Sequence, residues 1–120
     1  MYTTKIKFLI LIFFLITKSS SHAIFISPEA KKHIDIGHIY LKMQDYKHAQ
    51  INLKKSLDLG AKTYYIYLNL GVLAGLQGNY KEEIKFYQKS LNLNDRIAKT
   101  HLNLAVAYKT ANYKPKKILV

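Results

Sequence analysis

His33, His38, His48 and His101, with Ser56 and Ser90, are the side chains beyond residue 23 best equipped to hold a metal or carry a nucleophile. Histidine-based zinc sites need ligands at a helical spacing such as His-Glu-x-x-His, or cysteines beside them. The chain has no cysteine and no such spacing. His33 and His101 stand at equivalent points of a repeated pattern with Tyr67 between them, which argues against a shared metal. Ser56 and Ser90 also recur at one offset, as a small-residue packing position, so no Ser/His/Asp arrangement can be argued. Gly71 and Gly78 have neither the spacing nor the setting of a phosphate-cradling loop. These residues give no support to catalysis, a cofactor or a metal, and function must then come from a surface.

The elements that build the surface follow from the glycines. Gly71 sits in an apolar helical pattern, where it costs about 1 kcal/mol relative to alanine, so the missing side chain must serve a close approach. Laid on itself at an offset of 34, the chain pairs Gly37 with Gly71 and Ala105, Ile36 with Leu70 and Leu104, and His33 with Tyr67 and His101. Tyr46 pairs with Tyr80, Ser56 with Ser90, and Leu57 with Leu91. A fixed period of this length signals stacked supersecondary units. Within the second unit, Tyr64, Tyr67, Leu68 and Leu70 mark one helix, and Ile84, Tyr87, Leu91 and Leu93 another, at steps of three and four. Between them Gly78 suits a left-handed helix end, Asn79 a cap, and Glu82 the return half of a capping box. The first unit has Asp45 as cap and no glycine. Ser27, Pro28 and Glu29 form a helix start. The spacing predicts helices near residues 28–43, 46–59, 63–77, 80–93 and 96–110.

These residues resemble the tetratricopeptide repeat family, whose signature runs W-x-x-L-G-x-x-Y, A-x-x-x-F and a closing proline over about 34 residues. His33, Ile36, Gly37, Tyr40, Ala49 and Leu53 occupy those positions in the first unit. Tyr67, Leu70, Gly71, Ala74, Glu83 and Tyr87 do so in the second, and His101, Leu104, Ala105 and Tyr108 in the third. The resemblance implies an all-α superhelical solenoid of about two and a half helix-turn-helix repeats. Repeats would span 30–63 and 64–97, with a partial one at 98–120 and a lead-in at 24–29. Gly37 and Gly71 become the points where paired helices cross. The departures are that Ala61 and Asp95 replace the closing proline, and that Glu83 replaces the small residue expected where the helices touch. Glu83 must swing outward or loosen its unit. Asn112 and Tyr113 look like the start of a further turn, but Pro115 follows at once and too few residues remain for a stable second helix. The apolar face of 98–108 and the tail Ile118-Leu119-Val120 then need cover, from a longer array or from a homodimer through that end.

Residues 1–23 read differently. Lys5 and Lys7 precede the apolar run 8–16, and small residues Ser21 and Ala23 precede a cut after Ala23, the form of a secretory signal peptide. A membrane-spanning helix fits less well, because the run falls short of the roughly 20 residues a bilayer requires; an uncleaved anchor is the alternative. Export places the chain in a periplasm or outside the cell. The remaining 97 residues carry sixteen cationic side chains against seven acids, a net +9. That balance suits acidic partners, whether protein segments, phospholipid head groups or nucleic acid, and does not choose among them; a protein segment is the expected partner, a membrane surface a possible one and nucleic acid the least expected. A lysine-rich solvated surface is the plain alternative. Apolar residues make up 49% of the chain, enough for one small core.

The resemblance further implies a concave groove lined by the first helix of each unit, holding an extended or helical peptide of a partner. The matching positions are Lys31, Ile34, His38, Leu41 and Lys42; Tyr65, Leu68, Val72, Gly75 and Leu76; and Lys99, Leu102, Val106 and Lys109. An apolar middle with basic ends fits a segment with apolar anchors and acidic flanks. Some family members grip a free C-terminus through a carboxylate clamp. Asn69 and Lys99 match that set, but Ile34, His38 and Asn103 stand where its other members should be. The expected function is a non-enzymatic, exported interaction scaffold. The alternatives are a basic surface for anionic membrane or nucleic acid, and a truncated repeat protein with no independent role.

Overall fold

The computed structural model describes residues 3–10 and 25–112. Residues 3–10 form helix α1, with Ile6, Phe8, Leu9 and Ile10 exposed. No described helix is long and apolar enough to cross a membrane. The rest of the segment expected to be a signal peptide, with the expected cut after Ala23, and the tail from Tyr113 with Pro115 lie outside the described residues.

Five further helices follow: α2 (Pro28–Lys42), α3 (Tyr46–Asp58), α4 (Tyr64–Leu76), α5 (Tyr80–Leu93) and α6 (Ala98–Asn112). Each expected helix is present within two residues of its expected ends, and no strand forms among the described residues. The starts of α2 to α5 are set by side-chain caps, which satisfy backbone donors that the helix cannot. Ser27 Oγ accepts from the Ala30 N–H at 3.1 Å and Asp45 Oδ1 from that of His48 at 3.1 Å. Thr63 Oγ1 accepts from Ile66 and Asn79 Oδ1 from Glu82, both at 3.4 Å. The expected box at Asn79 and Glu82 forms only by this half. The Asn79 N–H is already donated to the Ala74 carbonyl at 2.8 Å.

That bond belongs to a helix stop used three times. At the end of α4, Gly78 takes φ +76° and donates to Gly75, while Asn79 donates to Ala74, a pair of bonds that caps free carbonyls. At the end of α3, Gly60 at φ +86° donates to Leu57 and Ala61 to Ser56. At the end of α2 the same bonds run from Gln44 to Leu41 and from Asp45 to Tyr40, with Gln44 at φ 60°. A residue with a side chain thus occupies the left-handed position that Gly78 occupies one period later.

The helices pack in consecutive antiparallel pairs, α2 with α3 and α4 with α5, and α6 adds to α5. Gly37 and Gly71 are the crossing points. A Cβ on Gly37 would lie 2.8 Å from Leu53, and one on Gly71 would lie 2.4 Å from the Tyr87 ring. Leu53 and Tyr87 are buried by this approach, each contributing roughly 2 kcal/mol of apolar burial. A second contact closes the far end of each pair: Ser56 Oγ donates to the Ala30 carbonyl and Ser90 Oγ to that of Tyr64, both at 2.9 Å. The two serines are therefore buried hydrogen-bonding groups as well as small ones.

Glu83 resolves differently from either expectation. Its carboxylate lies over Gly75, where an added Cβ would fall 2.5 Å from Oε1. One period earlier the same two positions hold Leu41 and Ala49, both buried. Large and small have changed places, so Glu83 neither leaves the crossing nor opens it.

The core joins Ile34, Leu41, Ala49, Leu53, Ile66, Leu70 and Leu73 across α2, α3 and α4, and a smaller cluster joins Leu68, Tyr87 and Ala107 across α4, α5 and α6. On α6, His101, Ala105 and Tyr108 occupy the positions that are at least half-buried in the two complete pairs, yet all three are exposed. No described helix crosses there. The architecture is an all-α solenoid of two complete helix pairs and the first helix of a third.

Candidate partner-binding groove

The first helices of the units, α2, α4 and α6, carry the expected groove positions, and the structure gathers most of them into two adjoining depressions. In one, His38, Leu41, Lys42, Tyr65, Leu68, Asn69, Val72 and Lys99 come together. In the other, Val72, Gly75, Leu76, Glu83, Tyr87, Leu102, Asn103 and Val106 enclose about 360 Å3. Val72 lines both and forms the ridge between them. The first half holds three side chains able to carry positive charge, and the second holds one carboxylate among apolar walls.

The floor of the first half is fixed by hydrogen bonds. Asn69, almost fully buried, donates through Nδ2 to the Tyr65 carbonyl at 2.9 Å. This turns Oδ1 toward His38 Nδ1, 2.8 Å away, so His38 must be the donor there. The Tyr65 ring lies 5.9 Å from the imidazole. The Asn69 oxygen and one of its two amide hydrogens are thus committed within the chain, and the side chain is almost fully buried. Leu41 and Leu68 form the apolar base and are largely buried.

Three expected groove residues fall elsewhere. Ile34 is only 1% exposed and belongs to the core of α2, α3 and α4, so it has no surface to offer a partner. Lys31 pairs with Asp35 along the exposed face of α2 at 2.7 Å, which raises its pKa by hydrogen bond and charge. Lys109, in the last turn of α6, lines neither depression.

In the second half, burial pushes the Glu83 carboxyl above its usual range, partly offset by a hydrogen bond with Tyr87. The Tyr87 phenol is held above its ordinary value, first by burial and then by the neighbouring Glu83 charge, while a bond with Asn103 acts the other way. Glu83 and Asn103 were absent from the groove positions expected from sequence. The paired exchange of Leu41 for Gly75 and Ala49 for Glu83 at the common offset was the signal that could have found the first. Leu76, Leu102 and Val106 complete the walls at 49%, 65% and 54% exposure.

The histidines are scattered. His33 Nδ1 meets Asn52 Oδ1 at 3.0 Å, His48 Nδ1 meets Asp45 at 2.7 Å, and His101 Nε2 meets the Asp95 carbonyl at 2.6 Å. His33 is half-buried as the pattern implies, whereas His101 is exposed. Among the described residues no three His, Asp or Glu side chains converge as metal ligands.

A family model described as tetratricopeptide repeat matches residues 33–63 and 64–96, more than half of the chain. The tetratricopeptide repeat-containing protein trd-1 of Caenorhabditis elegans is 29% identical over 87 residues, which covers 72% of this chain and 11% of that protein. The chain thus spans about a ninth of that relative's length. Matched repeats, glycine crossings at one period and a solenoid of helix pairs together place the chain in the tetratricopeptide repeat family, whose members are generally non-enzymatic scaffolds of protein–protein interaction.

Proposed function

We propose that this chain is an exported adaptor that seats an apolar-anchored segment of another protein in the groove of α2, α4 and α6. One observation carries the reading: Leu76, Leu102 and Val106 converge on a single depression, each about half exposed or more, and no described segment covers them. Exposed apolar side chains gathered in a concavity mark an interaction site, whereas scattered ones do not. His38, Lys42 and Lys99 beside them favour an acidic flank on the partner. The leader at residues 1–23 is read as the export signal, and an uncleaved anchor is the other outcome of mapping the mature N-terminus.

The test is capture by the tagged full chain at low and at high salt, beside a variant carrying Val72→Glu and Leu76→Glu. A partner held by the parent at both salts and lost by the variant is the expected result. Capture at low salt only, indifferent to the variant, would assign binding to the lysine-rich surface and to anionic membrane or nucleic acid, because phosphate contacts weaken steeply with salt.

A further inference from the structure

In a chain with 19 Lys and Arg against seven Asp and Glu, Glu83 is an anomaly. It stands at the second half of the groove, and no ion pair within the described residues holds it. Its partners are the Tyr87 hydroxyl and the apolar walls. The depression on the other side of Val72 carries His38, Lys42 and Lys99 and suits an anion, whereas this one offers a carboxylate.

We propose that the depression between α4, α5 and α6 is a cation subsite, taking an arginine or lysine side chain of the partner segment seated in the groove. The claim rests on the groove reading above and specifies its chemistry. An arginine or lysine is amphipathic: an apolar stem carries a charged head, and the stem gains by lying on apolar surface. Leu102 and Val106 on α6 offer that surface, and the Glu83 carboxylate at its end offers a charge-assisted acceptor. Gly75 supplies the room, since any side chain there would meet the carboxylate. Burial already strains the charged form of Glu83, and a cation seated on it relieves that cost. Charge complementarity thus selects a dipolar segment, acidic where it meets Lys42 and Lys99, apolar over Val72 and basic at Glu83.

Selection of phage-displayed random peptides on the full chain, with Glu83→Gln and Leu76→Glu variants alongside, tests this directly. The expected result is a consensus with arginine or lysine beside an apolar residue, lost on Leu76→Glu. A selected peptide should bind the parent about tenfold more tightly than its citrulline analogue, and Glu83→Gln should erase that difference while its melting temperature shows the fold intact. Groove-dependent peptides without a basic preference, or a preference that survives Glu83→Gln, would overturn the subsite and leave the groove standing. Absence of any peptide sensitive to Leu76→Glu would overturn both. Sedimentation of the same samples covers the other occupant: a dimer dissolved by Glu83→Gln would assign the subsite to lysines of a second copy and overturn the partner assignment.

Discussion

The two complete helix pairs make the same crossing with different materials. In α2 and α3, Leu53 lies over Gly37 and the neighbouring contact sets Leu41 against the small Ala49, so the crossing is sealed and apolar. In α4 and α5, Tyr87 lies over Gly71, and Gly75 makes way for the Glu83 carboxylate. Equivalent positions make the contact in both pairs while large and small are exchanged across it. A repeat scaffold can therefore place a charge at a helix crossing by exchanging large and small across the contact.

Making the second pair copy the first is the sharpest way to break that comparison. Gly75→Leu drives the carboxylate from its seat and should destabilise the chain by up to about 2 kcal/mol, as overpacking offset by helix propensity does. Adding Glu83→Ala restores the Leu and Ala pairing of α2 and α3 and should recover most of the loss, with a coupling of at least ~1 kcal/mol in a double-mutant cycle. Additive effects in urea unfolding would mean that the two positions are not exchanged partners.

Next in size is the difference between the crossing glycines. Alanine at position 71 meets a buried ring at the closer approach, whereas at position 37 it meets Cγ and Cδ2 of the equally buried but smaller Leu53. Allowing for the helix propensity gained, Gly71→Ala should cost about 2 kcal/mol and Gly37→Ala about 1 kcal/mol or less. Thermal melting of both variants checks the order, and equal losses would show that Tyr87 yields as readily as Leu53.

The turns give the smallest effect and the opposite sign. Gln44 holds the left-handed position that Gly78 and Gly60 hold elsewhere. Gln44→Gly should stabilise the chain by about 1 kcal/mol, since a side chain is strained there and glycine is not. A melting temperature unchanged or lowered would show that Gln44 is held by compensating contacts.

Much of this was legible in the sequence because a period of 34 repeats its own evidence. Gly37, Gly71 and Gly78 could be read from one-residue physics, a missing side chain or a positive φ. The caps at Ser27, Asp45 and Asn79 could be read from short-range chemistry. Ile34 was misplaced because its position faces the groove in the repeat pattern, while its burial depends on how α2 settles against α3 and α4. The hydrogen bonds of Ser56 and Ser90 reach carbonyls 26 residues away, a relation no local pattern contains. Glu83 looked like a defect when read alone, and only its exchange with Gly75 makes it a feature.

Ser56 and Ser90 have a mechanical consequence. Each bonds the last turns of a second helix to the start of the first, at the end opposite the turn that joins them. A hairpin latched at both ends is a stiff link. Between links, the side-chain hydrogen bonds among the described residues are His38 to Asn69, Gln88 to Tyr108 and Tyr87 to Asn103, and the rest of each joint is packed apolar surface. Any change of pitch in the array would therefore have to come from the packing between pairs, before either latched pair opens.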